Sequence, residues 1–388
     1  MDRSVASPAG ASATPTSAAH RPALDAAFDR LERASLPLLL LLLVVVFPLT
    51  LDAFRLSLVA KYLCFAFAAI GIVLIWGYGG ILSLGQGIFF GLGSYSMAMF
   101  LKLEAAAQDS SGSALSQFYG SSLPDFMVWN SVETLPWWWV PFEHLWFAVP
   151  AAIVLPAAVA FFLAYANFRK RVGGVYFSIV TLALSSIMAI VIIGQQGYTG
   201  GVNGLTDFKT FAGIPLDGPG VKLTLYLVTV ALLLASLLLG RFLVRSRLGR
   251  VLVAIRDRED RVRFSGYDPA LFKAFVFAVA AVMTAIGGAL FTLQEGLASP
   301  SLVGIVPSIE MVIYAAVGGR LSLVGAVYGT LFVFAAKTFF SENFVEYWLY
   351  FVGALFVVVT MLLPQGLAGL LASLRSKLSR GGSTESAP

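Results

Sequence analysis

Apolar residues run along the chain in long blocks, at about 36–51, 56–76, 80–101, 146–167, 174–193, 223–243, 274–293, 308–337 and 348–371. Most have the roughly 20 residues a helix needs to cross a bilayer core. The gaps are short, so the pattern predicts an all-α integral membrane protein with one membrane domain over 36–371.

Charge orients the blocks. Residues 102–145 set Lys102 alone against Glu104, Asp109, Asp125, Glu133 and Glu143, with Trp137, Trp138 and Trp139 beside the next block. Bases accumulate in loops that stay inside and tryptophans gather at the membrane interface, so this loop is expected outside. The turn Arg169-Lys170-Arg171 then faces in, 194–222 out, 241–273 in and 294–307 out. The tail with Arg375, Lys377 and Arg380 faces in only if 308–338 crosses an even number of times. Thirty residues cannot hold two full spans. The expectation is a pair of shortened or broken helices hinged at Gly318, Gly319 and Arg320, about ten membrane segments in all, and both termini in the cytoplasm.

A second glycine-interrupted segment covers 77–95, and Gly79-Gly80-Ile81-Leu82-Ser83-Leu84 matches Gly318-Gly319-Arg320-Leu321-Ser322-Leu323 at five of six positions. Matching interrupted segments in two halves of a membrane protein point to a transport site between repeats. Glycines that only let helices pack closely would give the same residues. Both readings stand at this level.

Composition agrees with the block pattern: 58% of the 388 residues are apolar and 12% charged, against roughly 45–50% and 25% in soluble domains. Cys64 is the only cysteine, and His20 and His144 are the only histidines. A disulfide framework, a metal centre and a catalytic site are therefore not expected. No phosphate-binding G-x-x-x-x-G-K-[ST] loop occurs, so ATP and Mg would be bound by partner chains. The basic pI of about 9.3 comes from the inward loops and does not indicate nucleic acid. Residues 1–35, rich in Ala, Ser, Pro and Thr, read as a disordered tail ending in a surface helix with Leu24, Ala27, Phe28 and Leu31; 372–388 reads as a second tail. The block at 36–51 is taken as a span and not a cleaved signal, because no small-residue site follows it.

The loop from Arg241 to Lys273 carries eight Arg and one Lys against Asp257, Glu259, Asp260 and Asp268, a surplus of five. Within it Leu248, Leu252, Ile255 and Val262 recur at helical spacing, and Gly266 and Pro269 end the pattern. Such a loop is either a topology anchor or an amphipathic helix pressed against a partner. In the spans the polar residues are mostly neutral. Ser83, Gln86, Ser94 and Tyr95 follow the first glycine break, and Tyr176, Ser178, Thr181 and Ser185 recur from 174. They suit a pathway for a small uncharged polar solute, or they bond their own helices. Charges such as Lys61, Glu310 and Lys337 lie toward block ends, where they avoid the roughly 2.5–3.5 kcal/mol cost of mid-bilayer burial. That disfavours ion coupling, although Glu310 remains a candidate titratable group in the pathway. Asn203, Thr206 and Asp207 offer polar groups in a glycine-rich outer loop.

These pieces resemble the LivM-type permeases of ABC importers for branched-chain amino acids and amides. The resemblance rests on G-Y-G-G-I-L-S-L-G-Q-G-I-F-F-G-L-G-S-Y from 77, G-V-Y-F-S-I-V-T-L-A from 174, N-G-L-T-D-F from 203, S-R-L-G-R-V-L-V-A-I-R-D-R-E from 246 and I-E-M-V-I-Y-A-A-V-G-G-R from 309. A-K-T-F-F from 336 and E-Y-W-L-Y-F-V-G-A-L-F from 346 look most like the urea branch. Many relatives have His where Gln86 stands and Gly where Leu321 stands.

The resemblance implies a multi-pass inner-membrane subunit that is not an enzyme. It would work with a LivH-like second permease, two ATPase subunits and a periplasmic solute-binding protein. Residues 246–266 would form the ATPase coupling element, with Gly249 allowing close approach, Arg256 and Asp257 pairing across the interface, Asp260 beside them, and Gly266 turning the chain back. Asn203, Thr206 and Asp207 would meet the binding protein. The expected solute is urea or a short amide, with a branched-chain amino acid as the alternative. An ion-coupled or passive transporter and a non-transporting scaffold are the readings from other classes.

Overall fold

The computed structural model describes residues 35–109, 123–216, 218–344, 346–347 and several positions between 350 and 369. The expected tails at 1–35, apart from Ser35, and at 372–388, and most of the last apolar block lie outside the described residues. Ten helices carry the fold: α1 (Ser35–Thr50), α2 (Ala53–Tyr78), α3 (Gln86–Asp109), α4 (Leu145–Arg169), α5 (Val175–Gly194), α6 (Pro219–Arg245), α7 (Arg247–Phe264), α8 (Pro269–Glu295), α9 (Ile305–Gly318) and α10 (Leu323–Asn343). Among the described residues six of them, α2, α4, α5, α6, α8 and α10, are long and apolar enough to cross a membrane. A two-residue hairpin, β1 (Thr210–Phe211) with β2 (Ile214–Pro215), is held to α3 by Glu104, whose carboxylate accepts from Thr210 Oγ1 and from the amides of Ala212 and Gly213.

Helix α8 is the centre, packed against α2, α3 and α4. Its buried face is rich in small residues, Ala280, Ala281, Ala285, Gly287, Gly288 and Ala289 among them, so neighbouring backbones approach it directly, as is common where helices pack in lipid. A Cβ at Gly93 would overlap the carbonyl of Ala285, and one at Gly288 would overlap that of Phe90. Aromatic rings fill the adjoining core: Phe65 stacks on Phe90 at 4.9 Å, and Tyr314 meets Phe334 at 4.9 Å. Helices α4 and α5 lie at the rim, exposing Val154 and Phe162, and Tyr176 and Ile190.

The block at 308–337 divides at the expected glycines. Helix α9 stops after 14 residues, Gly319 takes φ +115°, and Ser322 caps α10 by accepting from the Gly325 amide at 2.9 Å. The block at 80–101 corrects the expected boundaries. The end of α2 loosens into a π turn over Val73–Tyr78, Gly80 reverses the chain at φ +68°, and 81–85 is not helical. Helix α3 therefore begins at Gln86 and runs on to Asp109, beyond the apolar run, because Lys102 and Glu104 are held within the fold.

The arginine-rich loop forms α7, with Gly249, Leu252, Ile255 and Val262 on its buried face. It is not one continuous helix, since Arg258 leaves helical geometry at φ −154°, ψ 82° and divides it. Gly266 at φ +84° then turns the chain, and Asp268 caps α8 over Pro269.

Candidate functional site

The non-helical segment 81–85 carries backbone groups that need partners, and such backbone is tolerated inside a membrane only where protein or a water-filled cavity surrounds it. Helix α5 supplies the partners. Ser178 Oγ donates to the Leu82 carbonyl at 2.7 Å, and Thr181 Oγ1 accepts from the Leu84 amide at 3.2 Å. Ser83 Oγ accepts from the Gly85 amide. One turn further, Ser185 Oγ donates to the Val303 carbonyl and lies 3.0 Å from Ser308 Oγ, which accepts from the Gly87 amide at 3.1 Å.

The first turns of α3 and α9 therefore meet against α5. Thr181 and Ser185 lie near the middle of that 20-residue helix, so the meeting point is at mid-span. Gln86 opens α3 there. Its Oε1 accepts from Thr284 Oγ1 of α8 at 3.1 Å, while among the described residues its Nε2 has no partner. Each helix N-terminus carries roughly half a positive charge. Two of them together favour a carbonyl or carboxylate oxygen over a cation.

The candidate pathway residues thus fall into separate places. Ser83, Gln86, Thr181 and Ser185 come together at this junction, fully or almost fully buried. Ser94 bonds Thr292 across α3 and α8 at 2.7 Å. Tyr95 is buried between α3 and α4, and Tyr176 lies on the outer face of α5, 76% exposed. Glu310 accepts from Tyr314 at 2.8 Å and pairs with Lys337 at 3.3 Å, away from the junction. Sequence reasoning missed Ser308 and Thr284. Both are single hydroxyls in apolar runs, and nothing in the local pattern marks their depth.

At the arginine-rich end the two glycine breaks touch. Tyr78 Oη donates to the Leu321 carbonyl at 2.7 Å, and a Cβ at Gly77 would overlap the Arg320 carbonyl. Arg256 of α7 reaches the same point, donating from Nη1 to the Gly77 carbonyl at 2.6 Å and lying against Gly80. The close approach at Gly249 is to the carbonyls of Leu243 and Val244, so this glycine serves the α6–α7 turn within the chain. Asp257 contacts Arg256 at 3.2 Å and is exposed, as are Asp260 and Gly266. Glu259, which the sequence did not single out, bridges Arg263 at 2.7 Å and Lys273 of α8 at 2.6 Å. Burial pushes its carboxyl up, but the hydrogen bonds and charges of Lys273 and Arg263 outweigh that and hold it below the usual carboxylate range.

At the tryptophan end Asn203, Thr206 and Asp207 are exposed. Their loop is tied to the segment leading into α9 by a Leu205–Ala298 bridge with amide bonds of 2.7 and 2.9 Å.

The family described as the permease component of branched-chain amino acid transport systems matches residues 54–360, most of the chain. The chain belongs to this permease family. The permease is 25% identical over 350 residues to the high-affinity branched-chain amino acid transport system permease protein LivM of Escherichia coli K12, covering 84% of this chain and 73% of that protein. BraD, the corresponding permease protein of Pseudomonas aeruginosa, is 26% identical over 160 residues, 41% of this chain and 52% of its own. The xylose transport system permease protein XylH of E. coli K12 is 28% identical over 183 residues, 45% of this chain and 42% of its own. No solved structure matches the permease. With six apolar helices among the described residues, the permease is a multi-pass membrane protein and the permease component of an ABC-type transporter.

Proposed function

We propose that the permease moves a small neutral solute with a carbonyl group, urea or a short amide, through an ATP-driven importer completed by a second LivH-like permease, two ATPase subunits and a periplasmic binding protein. The observation that carries this is the meeting of the α3 and α9 first turns on the middle of α5, among neutral donors and acceptors. Hydroxyls and an amide can exchange hydrogen bonds with a carbonyl. The paired N-terminal charges repel a sodium ion, which argues against sodium coupling.

Drive from ATP would enter at α7. Phe264 is 92% exposed at its end, beside exposed Asp257, Asp260 and Arg261, a surface suited to a partner's cleft. Arg256 links that helix to the first glycine break, which in turn touches the second. On the opposite side, a binding protein pressed on Asn203, Thr206 and Asp207 would act through the Leu205–Ala298 bridge on the start of α9. The exposed apolar face of α5, with Ile179, Ile187 and Ile190, suits the second permease.

The names of the relatives favour a second solute reading, a branched-chain amino acid whose carboxylate the same helix ends would attract. Calorimetry of the complex's binding protein with urea, short amides and branched-chain amino acids separates the two, followed by uptake of each into proteoliposomes. Amide-selective binding with ATP-dependent uptake supports the proposal. Selectivity for leucine, isoleucine or valine overturns the solute, and uptake that survives an inactive ATPase overturns the mechanism.

A further inference from the structure

On the tryptophan side a cleft of about 770 Å³ separates α4 from α5 over a floor made by α3. That is the size of a small-molecule site. Leu92, Ala151, Leu155, Met188 and Ile192 line it, and Trp138, Trp139 and Trp146 stand around its mouth. It exists because its two walls lean elsewhere: α4 packs on α8 and α3, and α5 on α3 and α9. Trp146, Val154 and Leu155 of its lining are exposed, so the cleft opens sideways between the helices.

Among the described residues, one buried polar group inside it is unsatisfied. Ser96 Oγ donates to Leu92, Thr199 Oγ1 to Ile192, and Trp139 Nε1 to Tyr198. Tyr95 Oη, on a residue only 6% exposed, has no partner among the described residues. A buried hydroxyl left bare costs about 1–3 kcal/mol. A carbon-lined cleft does not hold water to relieve it, since water in such a space needs two to four polar partners.

Depth identifies what could. Gln86 lies against the middle of α8 and Tyr95 is nine residues further along α3. At about 1.5 Å per residue that is roughly 13–14 Å from mid-span, against about 15 Å for half the hydrocarbon core. Tyr95 is thus at the level where acyl chains join their glycerol esters, and the tryptophans at the mouth match the headgroup level. We propose that this cleft is a phospholipid site, in which one acyl chain fills the space between α4 and α5 and its ester carbonyl accepts the hydrogen bond of Tyr95. The chain would run inward toward Ile88 and Val303, beside the first turns of α3 and α9. The lipid would then brace the wall behind the junction. The inference needs only that the helices span a bilayer and stands apart from the choice of solute.

The test uses the full-length permease in nanodiscs of phosphatidylethanolamine and phosphatidylglycerol containing a phospholipid with a diazirine midway along one acyl chain. After irradiation, peptide mapping should place label on Ala151–Leu155 and Met188–Ile192 several-fold above the exposed Leu223–Val228 face of α6. Tyr95→Phe should retain about threefold less phospholipid through detergent washing, the worth of one hydrogen bond, at an unchanged thermal midpoint. Ala151→Trp, which fills the cleft, should abolish the labelling. If that variant does not fold, Tyr95→Phe decides alone. Equal labelling of the cleft and α6, unchanged lipid retention in Tyr95→Phe, or crosslinks from Met188 to a second permease in the assembled complex would each overturn the proposal.

Discussion

The guanidinium of Arg256 on α7 donates to the carbonyl oxygen of Gly77, 2.6 Å away, at the point where α2 gives way to the non-helical segment before α3. Gly77 in turn lies against Arg320, between α9 and α10. A single side chain thus ties the amphipathic helix to the first interruption of the membrane domain, and through Gly77 to the second. The next residue, Asp257, is exposed at the surface.

These two neighbours should therefore fail differently. Arg256→Ala removes a charge-assisted bond of about 1.5–3 kcal/mol and should lower solute-stimulated ATP hydrolysis roughly tenfold, with the ATPase still co-purifying. Asp257→Asn removes the exposed charge without setting a like charge against Arg256 and should reduce co-purification instead. Loss of ATPase binding in Arg256→Ala would make it an interface residue and remove the internal link.

Close packing around α8 gives a stability prediction. Gly93→Ala and Gly288→Ala each drive a methyl into a backbone carbonyl of the facing helix, those of Ala285 and Phe90. Overpacking of this kind costs about 1–3 kcal/mol, so both should lower the thermal midpoint in detergent. Gly304→Ala meets open space and should not. Equal midpoints for all three would mean that the helices separate at no cost.

Much of this architecture is written in the chain. The length of the 308–337 block, the inward charge of the tail and the glycine pair together point to the break at 318–322, and the spacing of Leu252, Ile255 and Val262 sets the buried face of α7. The polar stripe of α5 was harder to read. Ser178, Thr181 and Ser185 share a helical face, and Tyr176, two residues from Ser178, falls on the opposite one. Periodicity therefore separates the tyrosine from the hydroxyls, but it does not say whether the hydroxyl face meets solute or the bare backbone of 81–85. That answer depends on which segment packs there, a contact across about 100 residues. The same holds for Gly249, whose close approach is to the preceding helix and is silent in sequence.

Glu259 should make the α7–α8 contact pH-dependent. Its carboxyl is held below its ordinary value of 4.5 by Lys273 and Arg263, against the upward push of burial. A depressed carboxylate contributes stability that is complete above the ordinary value and is lost as pH falls through the lowered one. Thermal midpoints followed from neutral to below pH 4.5 should fall more steeply for the parent than for Glu259→Gln, which has already lost both ion pairs. Parallel curves would mean that the bridge contributes nothing.

Orientation can be read chemically. Cys64 is fully buried, so in a Cys64→Ser background Glu143→Cys and Asp260→Cys introduce single exposed thiols. The charge pattern places residue 143 outside and residue 260 inside. An impermeant maleimide should label the first in intact cells and the second only after lysis. Labelling of both in intact cells would refute the topology.

Gln86 offers the sharpest separation between packing and transport. It is fully buried, with Oε1 accepting from Thr284 and Nε2 without a partner among the described residues. Gln86→Leu removes one neutral hydrogen bond, worth about 0.5–1.5 kcal/mol, but it also removes an unsatisfied amide group that costs about 1–3 kcal/mol. Thr284's one hydroxyl proton, shared between Gln86 Oε1 and the Ala280 carbonyl, goes wholly to Ala280 in this variant. The thermal midpoint should therefore hold or rise. If Nε2 is kept free for a solute carbonyl passing the α3 and α9 ends, ATP-dependent uptake should fall several-fold in the same variant. Uptake equal to the parent at an equal midpoint would assign Gln86 to packing, and a fall in both would mean that it supports the fold and not the solute.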